Sequence, residues 1–152
     1  MDKQENCYHL YFVGFSVFLI SMSLLMLEII YTRVAKVSFG NDFQFIIISF
    51  AILGIGLGGM LVYFFINTSF FKNNDDKIMY TLIILYSTLL LVPFFILHYL
   101  TSYQFLAKLL FFISTLFTYL VWGVYISVIF VIYVKRISLI YFFSLLGSAF
   151  GA

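Results

Sequence analysis

The sequence predicts an all-α protein, a polytopic transmembrane helix bundle with four full spans and a fifth, incomplete one. Two observations predict it. Of 152 residues, 64% are hydrophobic and 9% charged, and the mean hydropathy is +1.15, whereas a soluble domain carries roughly 25% charged residues and can cover itself against water. The apolar residues also fall in long uncharged runs, close to the roughly 20 residues that a helix needs to cross about 30 Å of hydrocarbon. They lack the period-two alternation of a barrel strand. Since only helices and closed barrels satisfy every backbone group in lipid, the runs are helices.

Residues 1–9 read as an N-terminal tail. The first span covers residues 10–31 if Glu28 is tolerated; the run from Leu10 is too long for a signal-peptide core, and no small-residue cleavage site follows it. A connector from Tyr31 to Asp42 carries Arg33, Lys36 and the turn residues Gly40-Asn41-Asp42, where Gly and Asn accept positive φ and Asp suits a helix cap. The second span, 43–66, ends before a polar connector with Lys72, Asn73, Asn74, Asp75, Asp76 and Lys77. The third, 78–100, contains Pro93, which bends a helix and frees a carbonyl for a neighbour to satisfy. The polar bend Thr101–Gln104, flanked by Tyr99 and Tyr103, suits the headgroup level. The fourth span, 109–134, is bounded by Lys108 and by Lys135 and Arg136. The last run, 137–152, gives only about 24 Å of helix. A carboxylate left at that depth is costly, so the expectation is a chain truncated before a soluble domain of a longer parent.

Charge and cysteine usage exclude several classes. The net charge is +2 and the eight Lys and Arg are scattered, so the clustered basic surface of a nucleic-acid binder is missing. With Cys7 as the only cysteine, neither an intrachain disulfide nor a thiolate metal cluster can form. His9 and His98 lie near span ends without a second ligand at helical spacing, and read as interfacial anchors. No metal or cofactor site is expected, and no catalytic residue is assigned. With the N-terminus cytoplasmic, Lys3, Lys72, Lys77, Lys135 and Arg136 lie inside, against Arg33, Lys36 and Lys108 outside. That bias favours the N-in orientation.

Glu28 is the most informative residue. An ionisable group inside an apolar helix costs roughly 2.5–3.5 kcal/mol on insertion scales and marks function by default. Glu28 shares a stripe with Thr32, whereas Arg33 lies about 500° along the helix, hence about 140° away. A direct Glu28–Arg33 pair therefore requires the helix to end near Tyr31. These two form the candidate functional polar pair; the alternative is that Glu28 merely snorkels or bonds another span. The string Ile52–Leu61 is rich in glycine but sits mid-span, so it is no dinucleotide loop, which must follow a strand and open a helix. Gly54 and Gly58, joined by Gly59, instead form a small-xxx-small face for close helix packing. Gly147 and Gly151 repeat the pattern in the last run, with Ser144 and Ser148 one turn apart. Trp122, mid-span, reads as core packing unless it lines a substrate path.

In order, Leu27-Glu28, Thr32-Arg33, Gly40, Phe45, Ile48-Ser49 and Leu53-Gly54-Ile55-Gly56-Leu57-Gly58-Gly59 resemble the membrane region of integral membrane spermidine-synthase-like proteins. Ile140-Tyr141, Leu145-Leu146-Gly147 and Gly151 are similar to a later segment of that region, with Ser144 where the family places an Asp. The resemblance covers residues 24–62 and, more loosely, 139–152. It implies a bacterial cytoplasmic membrane and a membrane domain that precedes a soluble aminopropyltransferase-like domain. The nucleotide-like fold, donor site and catalytic acid would lie there, leaving this chain non-catalytic by itself. On this reading its partners are the lipid bilayer, other transmembrane helices of the parent or of an oligomer, and a cationic amine near Glu28 and Arg33. The alternatives are a small proton-coupled organic-cation transporter using Glu28, and a structural membrane subunit whose glycine faces dock a partner.

Overall fold

The computed structural model of the chain describes residues 2–40, 42–65, 75–99 and 104–152, with residues 2–10, 65, 75, 76, 78, 97, 99, 104, 105 and 107 as backbone only. Among the described residues there are helices and turns and no strands. The helices are α1 (Asp2–Phe39), α2 (Phe43–Phe65), α3 (Asp75–Tyr99), α4 (Gln104–Ile132) and α5 (Ile137–Gly151), the last entered through a 3-10 turn at Val134–Arg136. Among the described residues five segments are long and apolar enough to cross a membrane: Tyr11–Phe39, Phe43–Phe64, Met79–Ile96, Lys108–Ile132 and Val134–Gly151. The chain is a multi-pass membrane protein of the all-α class.

The main departure from the sequence reading is α1. It begins at Asp2, within the expected tail, and continues past Tyr31 through Arg33 and Lys36 to Phe39. Charge sets where a span leaves hydrocarbon, but it does not break a helix; a conformational break does. Gly40 provides it with φ +112°, a backbone that costs an L side chain dearly. The turn closes through backbone bonds, Gly40 N to the Lys36 carbonyl at 3.1 Å and Phe43 N to the Gly40 carbonyl at 3.3 Å. The connector thus shrinks from Tyr31–Asp42 to three residues, of which Asn41 lies outside the described residues. So do residues 66–74 and 100–103, which hold the expected end of the second span, most of its polar connector and the Thr101–Tyr103 bend.

The chain forms two compact units, Met1–Tyr31 with Tyr133–Ala152, and Thr32–Ile132. In the first, α1 and α5 run parallel, position 14 facing 143, 18 facing 147 and 22 facing 151. Both helices advance by four residues per contact, the i±4 ridge of close helix packing. In the second, α4 packs against both α2 and α3. It is the central helix: half of Lys108–Ile132 is buried, against 28% of Phe43–Phe64 and 11% of Met79–Ile96. The exposed apolar side chains of α2 and α3, among them Ile52, Tyr63, Ile84 and Leu91, would be intolerable in water but match acyl chains.

Candidate functional site

The most closely packed structure in the second unit is the seam between α2 and α4. A Cβ added at Gly54 would lie 2.7 Å from Tyr119 Cβ, one at Gly58 2.5 Å from Val124 N, and one at Gly123 2.8 Å from Ile55 Cα. At Gly58 and Gly123 these neighbours are backbone atoms, so no rotamer change could make room. Gly59 is looser, 3.4 Å from Ser127 Oγ, and Gly56 faces open space. On α2 the tight approach thus falls at Gly54 and Gly58, with Gly59 at its edge. Its counterpart is Gly123, four residues before Ser127; that small-xxx-small signal was present in α4 but is carried by a single glycine. With 54 against 119, 58 against 123 and 59 against 127, α2 and α4 are parallel, as an odd number of crossings between them requires.

Beside the seam α4 buries a polar stripe: Ser114, Thr115, Thr118 and Trp122. Ser114 and Thr115 hydroxyls donate to the Phe111 carbonyl at 2.9 and 2.6 Å. Thr118 Oγ1 has one hydrogen for two carbonyls, Ser114 O at 2.9 Å on its own helix and Leu89 O at 3.3 Å on α3. Leu89 stands four residues before Pro93, so its carbonyl is the one that proline's missing N–H leaves without a helix donor. Pro93 is fully buried within α3, and Thr118 is the neighbour that satisfies the freed acceptor. Trp122 is core, as the sequence reading has it; its Nε1 is buried without an acceptor among the described residues.

In the first unit the glycines lie on α5 and α1. A Cβ at Gly147 would strike the Phe18 carbonyl oxygen, and one at Gly151 would lie 2.5 Å from the Met22 carbonyl oxygen. Gly14, which the sequence reading passed over, receives the Phe143 ring, 2.6 Å from where its Cβ would be. Close approach lets Ser21 and Ser144 hydroxyls share a hydrogen bond at 3.0 Å. An acid at position 144 would face that buried hydroxyl; a serine suits it without introducing charge. Phe18 and Phe150 close the seam edge to face, centroids 5.9 Å apart.

Glu28 is half-buried. On α1 it falls in line with the buried positions Val17, Ser21, Leu24 and Tyr31, spaced three and four residues apart, the period of one helix face. Arg33 and Lys36 are exposed. Because α1 is unbroken to Phe39, it does not end near Tyr31 as a direct Glu28–Arg33 pair would require. Five residues along one helix keep the two side chains about 140° apart in direction and about 7.5 Å apart in height. His98 is exposed in the last turn of α3, and among the described residues no three His, Cys, Asp or Glu side chains converge as a metal site. The side chains of Cys7 and His9 lie outside the described residues.

Lys108, read from the sequence only as a span boundary, is instead part of an aromatic box. Its Nζ lies 5.4 Å from the Phe39 centroid and 5.3 Å from that of Phe43, inside the roughly 6 Å reach of a cation–π contact. Phe112 stacks on Phe43 at 5.8 Å and meets Phe39 at 5.8 Å and Phe50 at 6.1 Å. Beside the box a groove of about 500 Å³ is lined by Phe43, Ile46, Phe50, Lys108, Leu109, Phe112, Ile113 and Leu116. Among the described residues Lys108 is its one charged lining side chain. The end of α1, the start of α2 just past the turn at Gly40, and the start of α4 build the box. No family model, curated protein or solved structure matches this chain.

Proposed function

We propose that this chain is the membrane-embedded, non-catalytic domain of a spermidine-synthase-like membrane protein, seated in a bacterial cytoplasmic membrane with its N-terminus cytoplasmic, and that it holds a cationic amine at Glu28. The observation that carries the reading is the position of Glu28: the only carboxylate inside the apolar runs lies in line with the buried face of α1. A carboxylate there keeps its charge only with a cation or a donor beside it, and an amine supplies both. The resemblance of residues 24–62 to that family supplies the chemical class of the amine. Each unit has its own glycine seam, α1 with α5 in one and α2 with α4 in the other, and the close packing of each suits an anchoring role. Glu28 is one to two turns from the exposed Arg33 rather than at a midplane, where a transport coupling site belongs.

The test is equilibrium binding of labelled spermidine to the purified full chain in proteoliposomes, with uptake under a pH gradient measured in parallel. The reading expects weak saturable binding that falls about tenfold in Glu28→Gln, the effect of roughly 1.4 kcal/mol, with no uptake and no aminopropyl transfer. Binding unchanged in Glu28→Gln refutes the amine site. Uptake that follows the pH gradient and disappears in that variant would identify a proton-coupled exporter instead. Aminopropyl transfer by the chain alone would refute its non-catalytic role.

A further inference from the structure

We infer that the groove between the starts of α2 and α4 binds an anionic phospholipid, its phosphate on Lys108 and one acyl chain along the groove. Two parallel helices begin at the same end of the unit, and each contributes one stripe: Phe43, Ile46 and Phe50 from α2, and Leu109, Phe112, Ile113 and Leu116 from α4. From Lys108 to Leu116 the groove runs about 12 Å along the helix, from the end where α1 turns back into α2 toward the middle of the spans. Its volume of about 500 Å³ falls within the roughly 300–1,000 Å³ of small-ligand sites. With a lining that is apolar apart from one ammonium, it matches an acyl chain rather than a polar solute.

The headgroup assignment rests on Lys108. Its ammonium carries three N–H donors and meets two ring faces, while no carboxylate lines the groove among the described residues. Cation–π contact orients the group and leaves its hydrogen-bonding capacity for an oxygen acceptor. Arg33 and Lys36, both exposed in the last two turns of α1, add positive charge at the same end, where Asp42 is the only acid among the described residues. A zwitterionic headgroup would bring its own cation toward Lys108, and a free phosphate would leave the apolar groove unused. A membrane-resident lipid with net negative charge satisfies both halves of the site.

The experiment reconstitutes the full chain in phosphatidylcholine bilayers with trace spin-labelled phosphatidylglycerol or spin-labelled phosphatidylcholine, and reads the motionally restricted fraction of each by electron paramagnetic resonance. The expected preference for phosphatidylglycerol is about fivefold, the contribution of one lysine near a membrane surface. Lys108→Gln should abolish it and Lys108→Arg should keep it. Ile113→Trp is the control for nonspecific charge: position 113 is exposed and lines the groove, and an indole there fills the groove while leaving every charge of the chain in place. Loss of the preference in Ile113→Trp supports the groove, whereas a preference that survives there reports only surface charge and overturns the proposal. No preference in the wild type, or one unchanged in Lys108→Gln, also overturns it. Soluble glycerophosphate at millimolar concentration should not compete; if it does, the site is a phosphate site and not a lipid site.

Discussion

Replacing Gly58 with alanine should destabilise the second unit by about 1–3 kcal/mol, the usual cost of overpacking a well-packed core, whereas the same change at Gly56, two residues away, should not. The magnitude follows from the seam. An added Cβ at position 58 sits 2.5 Å from Val124 N, 2.6 Å from Gly123 C and 2.8 Å from Gly123 Cα, where ordinary contact begins at 3.4 Å. All three are backbone atoms, so relief requires α2 and α4 to part by about 0.9 Å, the difference between 3.4 and 2.5 Å. A gap of 0.5–1 Å forfeits roughly a quarter to a half of each dispersion contact along the interface, and in lipid no hydrophobic term between helices compensates. At Gly56 the new methyl meets nothing within 4 Å, and alanine gains up to about 1 kcal/mol in helix propensity. Reversible unfolding in mixed micelles, followed by far-ultraviolet circular dichroism, reads both variants on one scale. Equal losses at positions 56 and 58, or no loss at 58, would refute the close-packed seam.

Thr118→Val should cost about 0.6–1.7 kcal/mol, the range for interhelical hydrogen bonds in bilayers. The cost should shrink in a Pro93→Ala background, where the Leu89 carbonyl regains its helix donor; the same double-mutant cycle measured by micelle unfolding checks it. Ser21→Cys with Ser144→Cys should form a disulfide under mild oxidation, because the two hydroxyl oxygens already lie 3.0 Å apart; a gel-shift assay in a Cys7→Ser background reads it, and failure to cross-link would contradict the parallel α1–α5 pair. Gly40→Ala should cost roughly 1–2 kcal/mol through its positive φ alone, because no atom lies within 4 Å of the new methyl; a clash-sized loss in the same unfolding assay would contradict that cause.

The fold was legible because lipid demands a simple code: long uncharged runs must be helices, and Lys108, Lys135 and Arg136 mark where runs stop. Where α1 ends was not legible from charge. Arg33 and Lys36 interrupt the apolar run, but the helix continues through these exposed basic residues until the backbone of Gly40 turns it. Glycine spacing pointed to Gly54 with Gly58 and to Gly147 with Gly151, the glycines that lie on one side of each seam. The opposing side was hidden, since Gly123 and Gly14 are single glycines whose significance depends on which way α4 and α1 are rotated. The same holds for Pro93: a freed carbonyl was foreseeable, but Thr118 as its donor requires knowing that α4 faces α3 at that height. The Lys108 box was the least legible feature: the turn at Gly40 brings Phe39 beside Phe43, but that Lys108 and Phe112 of α4 meet them depends on how α4 packs, which no local pattern encodes.

Repeated threading of a membrane makes the connectors of the chain alternate sides. Its most direct test is labelling of single cysteines with a membrane-impermeant maleimide in right-side-out vesicles, again with Cys7→Ser as background. Ser38→Cys and Asp42→Cys, at the α1–α2 turn, should fall in one accessibility class, and Lys77→Cys and Lys135→Cys in the opposite one. All four sites reacting from the same face of the membrane would contradict it.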